Sequence, residues 1–468
     1  MIRPLVVLNI VGLTPSMLGQ HTPRLSELAG RGFACPLGTV LPAVTCTTQS
    51  TLLTGLLPSG HGVVANGWYE RELAEVMFWR QSNRLVAGER LYEAGAAAAG
   101  AESESAYTTA KMFWWYNMHA PVDWSVTPRP SYPADGRKVM DSYSQPADLK
   151  DRLQSELGVF PLMRFWGPGA NIASSRWIAD ATIKVLEWHR PSLTLAYLPH
   201  LDYNLQRLGP ADELIAVDLT AVDAEAGRVI DAADELGADV VVLSEYGITS
   251  VDRPVALNRV LREAGLLSVR REPLGWETLD PGGSRAFAVV DHQVAHVYVH
   301  DPSDLSRVRE LLERTEGVER VLAGQDLADA GLDHPRSGDL VVVAAAGSWF
   351  SYYFWLDDRL APDYARTVDI HRKPGYDPVE LFFDPRLRWP AIRVASRLLK
   401  KMLGMRYYMD VIGLDASIVK GSHGRLPAVG REDEEGPVLI ASSTAIARDR
   451  VAMTEVKRLL LELQFGAS

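Results

Sequence analysis

From Leu5 to Val11 the chain reads LVVLNIV, apolar at all but one position and closed by Gly12. Polar and apolar residues do not alternate, so the run fits a strand covered on both faces rather than one with a wet side. Comparable runs recur around residues 193–198 and 239–244, each preceded by a stretch with apolar residues three and four apart, at 176–189 and 215–236. Shorter helical patterns precede them at "TPRLSELAGRGF", at 47–53 with a stop at Gly55, and at 89–98. Buried strands alternating with helices predict an α/β fold with a doubly wound, mostly parallel sheet flanked by helices.

Two regions break this rhythm. Residues 110–175 are dense in aromatics, Pro and Gly, as in "KMFWWYNMHAPVDW", "TPRPSYPADG" and "RFWGPGANIASS", and read as an inserted cap or lid. Residues 266–335, with "AFAVVDHQVAHVYVHDP" and "LSRVRELLERTEGVERVL", read as a small strand-rich α+β subdomain. The predicted order is core over 1–109, cap over 110–175, core again over 176–265, the subdomain, and a core return over 336–468. Within that return, a strand at 340–344 is expected to rejoin the main sheet, and "RVASRLLKKMLGMRYYM" reads as a basic helix.

Composition narrows the classes of function. The chain has 468 residues, 47% hydrophobic and 23% charged, enough for a large globular core. Its net charge of −11 disfavours a broad surface for a nucleic-acid polymer. The two cysteines, Cys35 and Cys46, cannot make a disulfide framework or a zinc-type pair, so a reducing, cytoplasmic compartment is expected. No stretch approaches the roughly 20 apolar residues of a membrane span.

In an open parallel sheet ligands bind beyond the C-terminal strand ends, which directs attention to Asn9, Thr45, Asp202, Glu245 and His423. Thr45 has two readings. Its hydroxyl suits a helix cap, and equally suits an anion site where backbone N–H groups and the helix dipole favour a phosphoryl group. A hydroxyl nucleophile there needs activation, most simply by a metal.

The combination of "VVLNIVGL", "LPAVTCTTQSTLLTGLLPSGHGVVANGWY", "YLPHLDYNLQRLGP", "VVVLSEYGIT", "RSGDLVVVA" and "GSHG" resembles the nucleotide pyrophosphatase/type I phosphodiesterase family of the alkaline phosphatase superfamily. The resemblance implies an alkaline phosphatase-like fold and a site with two zinc-like ions around a Thr or Ser nucleophile. It places Thr45 at the nucleophile position, Thr48 where a family Asn helps hold the phosphate, and Asp202 and His423 at metal positions. Gln206 stands where the family has a His ligand, Glu245 and Tyr246 replace an Asp-His pair, and Val11 replaces an Asp. Val cannot bind a cation, and Gln or Tyr replaces imidazole poorly, so a standard two-zinc centre is not expected. Asp202, Glu245 and His423 would hold a divalent ion, Mg²⁺, Mn²⁺ or Zn²⁺, with oxygen-rich ligation favouring the first two and the number of ions left open.

Other residues complete the set of candidates. Asn9 shares a strand face with Val11 about 7 Å further back, and His200 is a compensating ligand beside Asp202. The "DHQVAH" motif offers Asp291, His292 and His296, and "VDIHRKPGYD" offers Asp369 and His371, though close His and Asp pairs usually bond one another in loops. Arg425 is placed to clamp a phosphate oxygen, with Arg372 and Lys373 as further basic candidates. Phe78 and Trp79 are candidates for the leaving-group side, and Trp114 and Trp115 for the wall of a substrate pocket or for a satellite core. The expected function is metal-dependent hydrolysis of a phosphodiester, pyrophosphate or related ester. The alternative is a catalytically degenerate relative that binds a small metabolite or partner.

Overall fold

The computed structural model describes residues 2–100, 107–134 and 138–466. The main sheet is parallel through its middle, where Asp239–Leu243, Leu5–Ile10, Leu193–Leu198, Thr109–Met112 and Trp124–Pro128 lie side by side in that order. Ser142–Gln145 adds an antiparallel edge on one side. On the other, Val438–Ala441 runs antiparallel to Asp239–Leu243 and leads out to Phe33–Gly38 and Val451–Ala452.

Period-two geometry sends successive side chains of Leu5–Ile10 to opposite faces, and both faces are dry. Val6, Leu8 and Ile10 join the core made by helices Ile172–His189 and Ile215–Glu235. Leu5 and Val7 join the core made with Leu91–Ala99 and Val456–Phe465. The sheet is thus covered on both sides, as its unbroken apolar strands require.

Two expectations are corrected. The aromatic-rich region is not a lid, because three of its short stretches, Thr109–Met112, Trp124–Pro128 and Ser142–Gln145, complete the main sheet. Strands of four or five residues carrying Lys, Thr and Ser leave too little periodicity to recognise. Residues 135–137, at the end of the Pro-rich stretch, lie outside the described residues. The strand Leu340–Ala344 does not rejoin the main sheet either. It pairs with Val294–Val299 and Val318–Leu322, and with Ala286–Asp291 these form a second, antiparallel sheet. A separate core containing Trp349, Phe350 and Trp355 buries that sheet, so an all-apolar strand fits there as well as in the parallel sheet. Among the described residues no helix is long and apolar enough to cross a membrane.

Candidate active site

The site is assembled where the parallel strands end. Asn9 lies near the end of Leu5–Ile10, Glu245 two residues past Asp239–Leu243, and Asp202 in the first turn of helix His200–Leu208 beyond Leu193–Leu198. Helix Thr45–Thr54 points its N-terminus at the same place.

His423 comes from the far end of the chain. Its short strand Gly421–Ser422 pairs with Thr249–Ser250 and passes helix His200–Leu208 so closely that a Cβ on Gly421 would lie 2.0 Å from the Leu205 carbonyl oxygen. Only glycine permits that approach. Gly421→Ala is therefore expected to cost about 1–3 kcal/mol of stability, read as a lowered thermal midpoint.

Seven residues form one network around the site, five of them closing a ring. The Thr45 hydroxyl lies 3.0 Å from the Tyr246 hydroxyl. The Tyr246 ring stacks on His423 at 3.6 Å and 8°, His423 on His292 at 3.6 Å, and His292 on Tyr376 at 3.6 Å. The Tyr376 hydroxyl then donates to Gln206 Oε1 at 3.0 Å, and Gln206 Nε2 donates to Asp202 Oδ2 at 2.9 Å. Asp202 Oδ1 returns to within 4.0 Å of His423 Nε2.

Each imidazole is held in one tautomer. His423 Nδ1 donates to the Ala43 carbonyl at 2.8 Å, and His292 Nδ1 to Asp291 Oδ1 at 2.8 Å. Asp291 is fixed in turn by the backbone N–H and side-chain amide of Asn66. Burial holds both histidines well below their usual pKa, so they are neutral and their Nε2 lone pairs are bare. Beside them, Glu245 Oε1 accepts from Asn9 at 2.6 Å and from Gln49 at 2.7 Å. Burial pushes Glu245 up to about 8 and Asp202 up to about 7, with these amide bonds pulling the other way.

Asn9 Oδ1, Asp202 Oδ1, Glu245 Oε2, His292 Nε2 and His423 Nε2 are all buried without a hydrogen-bond partner among the described residues. Such atoms are costly unless a ligand completes them. Asp202 Oδ1 and His423 Nε2 both offer electron pairs across a 4.0 Å gap, a donor set that fits one cation. The two-ion centre does not fit. Val11 is aliphatic, the Tyr246 hydroxyl is engaged with Thr45, and both ends of the Gln206 amide are committed. Among the described residues no three His, Cys, Asp or Glu side chains are grouped as a ready-made metal site.

Half-buried aromatics pack beside the site. Trp79 lies 4.9 Å from Trp115 and 6.1 Å from Tyr376, and Trp166 lies 5.7 Å from Tyr376. Trp79 is held at φ 59° and His292 at φ 60°, left-handed conformations that large side chains adopt only when the surroundings impose them. The Trp115 backbone N–H donates to Gln49 Oε1 at 2.7 Å, which ties these aromatics to Glu245.

Several expected positions fall elsewhere. Thr45 does not cap its helix: the N-cap is Val44, and Thr45 is the first helical residue. Thr48 donates back to the Val44 carbonyl at 3.0 Å. His200 lies 3.1 Å from Asp218, because residues two apart on a helix face different ways. His371 Nδ1 faces the Phe78 carbonyl at 3.3 Å, and Phe78 itself is buried in the second core. Trp114 is buried in the main core, and His296 is engaged with Val64 and Gly338. Arg425 pairs with Glu319 at 2.8 Å, the chain direction having turned at Gly424, whose φ is 116°. Lys373 is buried between Asp377 and Glu380, and Arg372 is paired with Asp363.

Tyr376 and Gln49 join the site without being among the sequence candidates. Gln49 follows Thr45 by one helical turn, a spacing that puts both on one face. Tyr376 in "KPGYD" carries no local signal.

A family model described as type I phosphodiesterase/nucleotide pyrophosphatase matches residues 5–377. An uncharacterised pyrophosphatase/phosphodiesterase of Schizosaccharomyces pombe is 22% identical over 289 residues, 58% of this chain and 50% of that protein. The chain thus spans about half the length of that curated relative. Among solved structures, phosphonoacetate hydrolase of Sinorhizobium meliloti 1021 with phosphonoformate superposes with a TM-score of 0.62 at 15% identity, over 99% of this chain and 95% of that one. Murine ectonucleotide pyrophosphatase/phosphodiesterase 5 gives 0.56 at 15% identity, over 99% and 95%. Its inactive threonine-to-alanine variant with AMP gives 0.57 at 14%, over 100% and 96%. At these identities the likeness is one of fold, and the fold is alkaline phosphatase-like.

Proposed function

Because the chain belongs to the type I phosphodiesterase/nucleotide pyrophosphatase family, we propose that it hydrolyses a small phosphate ester, a diester or pyrophosphate, with Thr45 as nucleophile. The observation that carries this reading is the position of the Thr45 hydroxyl, at a helix N-terminus and 3.0 Å from Tyr246, whose ring stacks on His423 with its unpartnered Nε2. The inactivity of the threonine variant of the murine relative is in keeping with it.

The chain's own groups divide the work as follows. The Thr45 hydroxyl attacks phosphorus as the bond to the leaving oxygen breaks, water then cleaves the phosphothreonine and restores the hydroxyl, and the N-terminus of helix Thr45–Thr54 favours the phosphoryl charge. Glu245 Oε2 takes the hydroxyl proton. The hydroxyl of Thr45 favours the ionised form of this carboxylate, and with a pKa of about 8 the ionised fraction that can act as base grows as pH rises towards 8. Tyr246 orients the hydroxyl through its 3.0 Å contact. Asp202 and His423 would hold one divalent ion, which supplies Lewis-acid polarisation of a phosphoryl oxygen when bound. Trp79 and Trp115 offer ring faces to the leaving group.

The net charge of −11 supports a small substrate over a nucleic-acid polymer, and the buried, unpaired Cys35 and Cys46 support a reducing compartment such as the cytoplasm. The rival reading is a binding protein without turnover, and the committed hydroxyl of Tyr246 and amide of Gln206 favour it. Metal content and a hydrolysis panel decide between them. On the first reading wild-type protein binds one equivalent of Mg²⁺, Mn²⁺ or Zn²⁺, loses it in Asp202→Ala, and cleaves at least one diester or pyrophosphate. Full metal loading with no turnover across the panel would leave the binding protein.

A further inference from the structure

The helix Pro390–Met402 is amphipathic in the inverse of the usual sense. None of its residues is buried. Ile392, Ala395, Leu399 and Met402 recur at three- and four-residue spacing, as does Leu403 just beyond, and they point to solvent, with Ile392 64% and Met402 83% exposed. Arg393 and Arg397 lie on the opposite side, where both are tied to Asp410. A helix docked for stability alone would bury its apolar stripe and expose its arginines.

Charge indicates what that stripe meets. Between Pro385 and Met409 the chain carries seven Lys and Arg and no Asp or Glu, although its net charge is −11. Arg388, Lys400, Lys401 and Arg406 have no carboxylate within 4 Å among the described residues. Trp389, 63% exposed, stands at the start of the helix, and Tyr408 just beyond it is 41% exposed. Apolar side chains outward, cations on the flanks and aromatic rings at both ends are the composition of a helix lying in a lipid interface.

We propose that this segment docks on an anionic phospholipid bilayer surface, with Ile392, Leu399, Met402 and Leu403 inserted among the acyl chains and the flanking Lys and Arg at the phosphates. Elsewhere the acidic chain is repelled by such a surface, so this face alone approaches it. A second copy of the chain is a poorer occupant, since self-pairing would bring the two basic rows together. The inference is independent of catalysis, because it uses no residue of the site.

Flotation of the full chain with vesicles tests it. The protein binds phosphatidylcholine vesicles that contain phosphatidylserine, binds pure phosphatidylcholine weakly, and loses affinity as salt rises. Ile392→Glu and Met402→Glu each lower partitioning by at least about tenfold with an unchanged thermal midpoint, since both side chains are already in water. Lys400→Glu combined with Lys401→Glu weakens binding to the anionic vesicles only. No partitioning by the wild-type protein, or partitioning that survives the two glutamates, overturns the proposal. So does a lipid-free dimer that Ile392→Glu dissociates, which would assign the face to a second copy.

Discussion

Thr45→Ala lowers ester hydrolysis by at least about a thousandfold, the scale on which an enzyme loses its nucleophile, while the protein keeps its fold. The second half of that expectation follows from the surroundings. The Thr45 hydroxyl lies 3.0 Å from the Tyr246 hydroxyl, and the Tyr246 ring stays stacked on His423 without it. Metal content should be unchanged too, because Asp202 and His423 do not contact the lost atom. Thr45→Ser, which keeps the oxygen and frees its rotamer, retains a substantial part of the activity. Single-turnover kinetics on whichever ester the panel identifies provide the measurement. Equal rates for Thr45→Ala and wild type would remove Thr45 from the chemistry and leave the anion site as a binding feature.

The second large effect concerns stability. Burial holds the Glu245 carboxyl at about 8, far above its unfolded value. Below about pH 4 both states are protonated and Glu245 contributes nothing to the pH dependence. Between there and pH 8 the unfolded chain ionises while the folded chain holds its proton, so the wild type loses stability as pH rises, and the loss levels off above pH 8. Glu245→Gln removes this penalty and keeps an oxygen for the Asn9 and Gln49 amides. In chelator-treated protein the variant is therefore more stable than wild type by an amount that grows from pH 5 to pH 8, to a few kcal/mol and several degrees in thermal midpoint. Buried histidines such as His423 and His292, with lowered pKa values, act in the opposite sense below pH 6.5, but they are common to both proteins and cancel in the difference. A gap that does not change with pH would show that Glu245 is ionised in the folded protein. The same variant should lose activity, since an amide cannot take the proton from Thr45.

How much of this was legible in the chain depended on length and register. The runs at Leu5–Ile10, Leu193–Leu198 and Asp239–Leu243 are long and wholly apolar, and they became the middle of the parallel sheet. Strand ends then located Asn9, Asp202 and Glu245 without further information. The four-residue strands Thr109–Met112 and Ser142–Gln145 hid in an aromatic-rich stretch, because sheet pairing and not pattern makes them strands. The site was harder to read where a side chain's direction depends on one backbone angle. His200 and Asp202 are near in sequence, yet the helix turns the former to Asp218. Arg425 is two residues from His423, yet Gly424 sends it to Glu319. Tyr376 needed the tertiary structure altogether, since what singles it out is the ring of His292 beneath it.

The network that runs from Thr45 through Tyr246 to the ring of His423, His292, Tyr376, Gln206 and Asp202 also bears on how the site answers to substitution. Each member fixes its neighbours, so the substitutions are not independent. A histidine placed at position 206 would strand the Tyr376 hydroxyl and release Asp202, and one placed at 246 would leave Thr45 without its phenol. The residues around Thr45 therefore answer to substitution as a unit, and the effects of changes at Tyr246, Gln206 and Tyr376 are expected not to add.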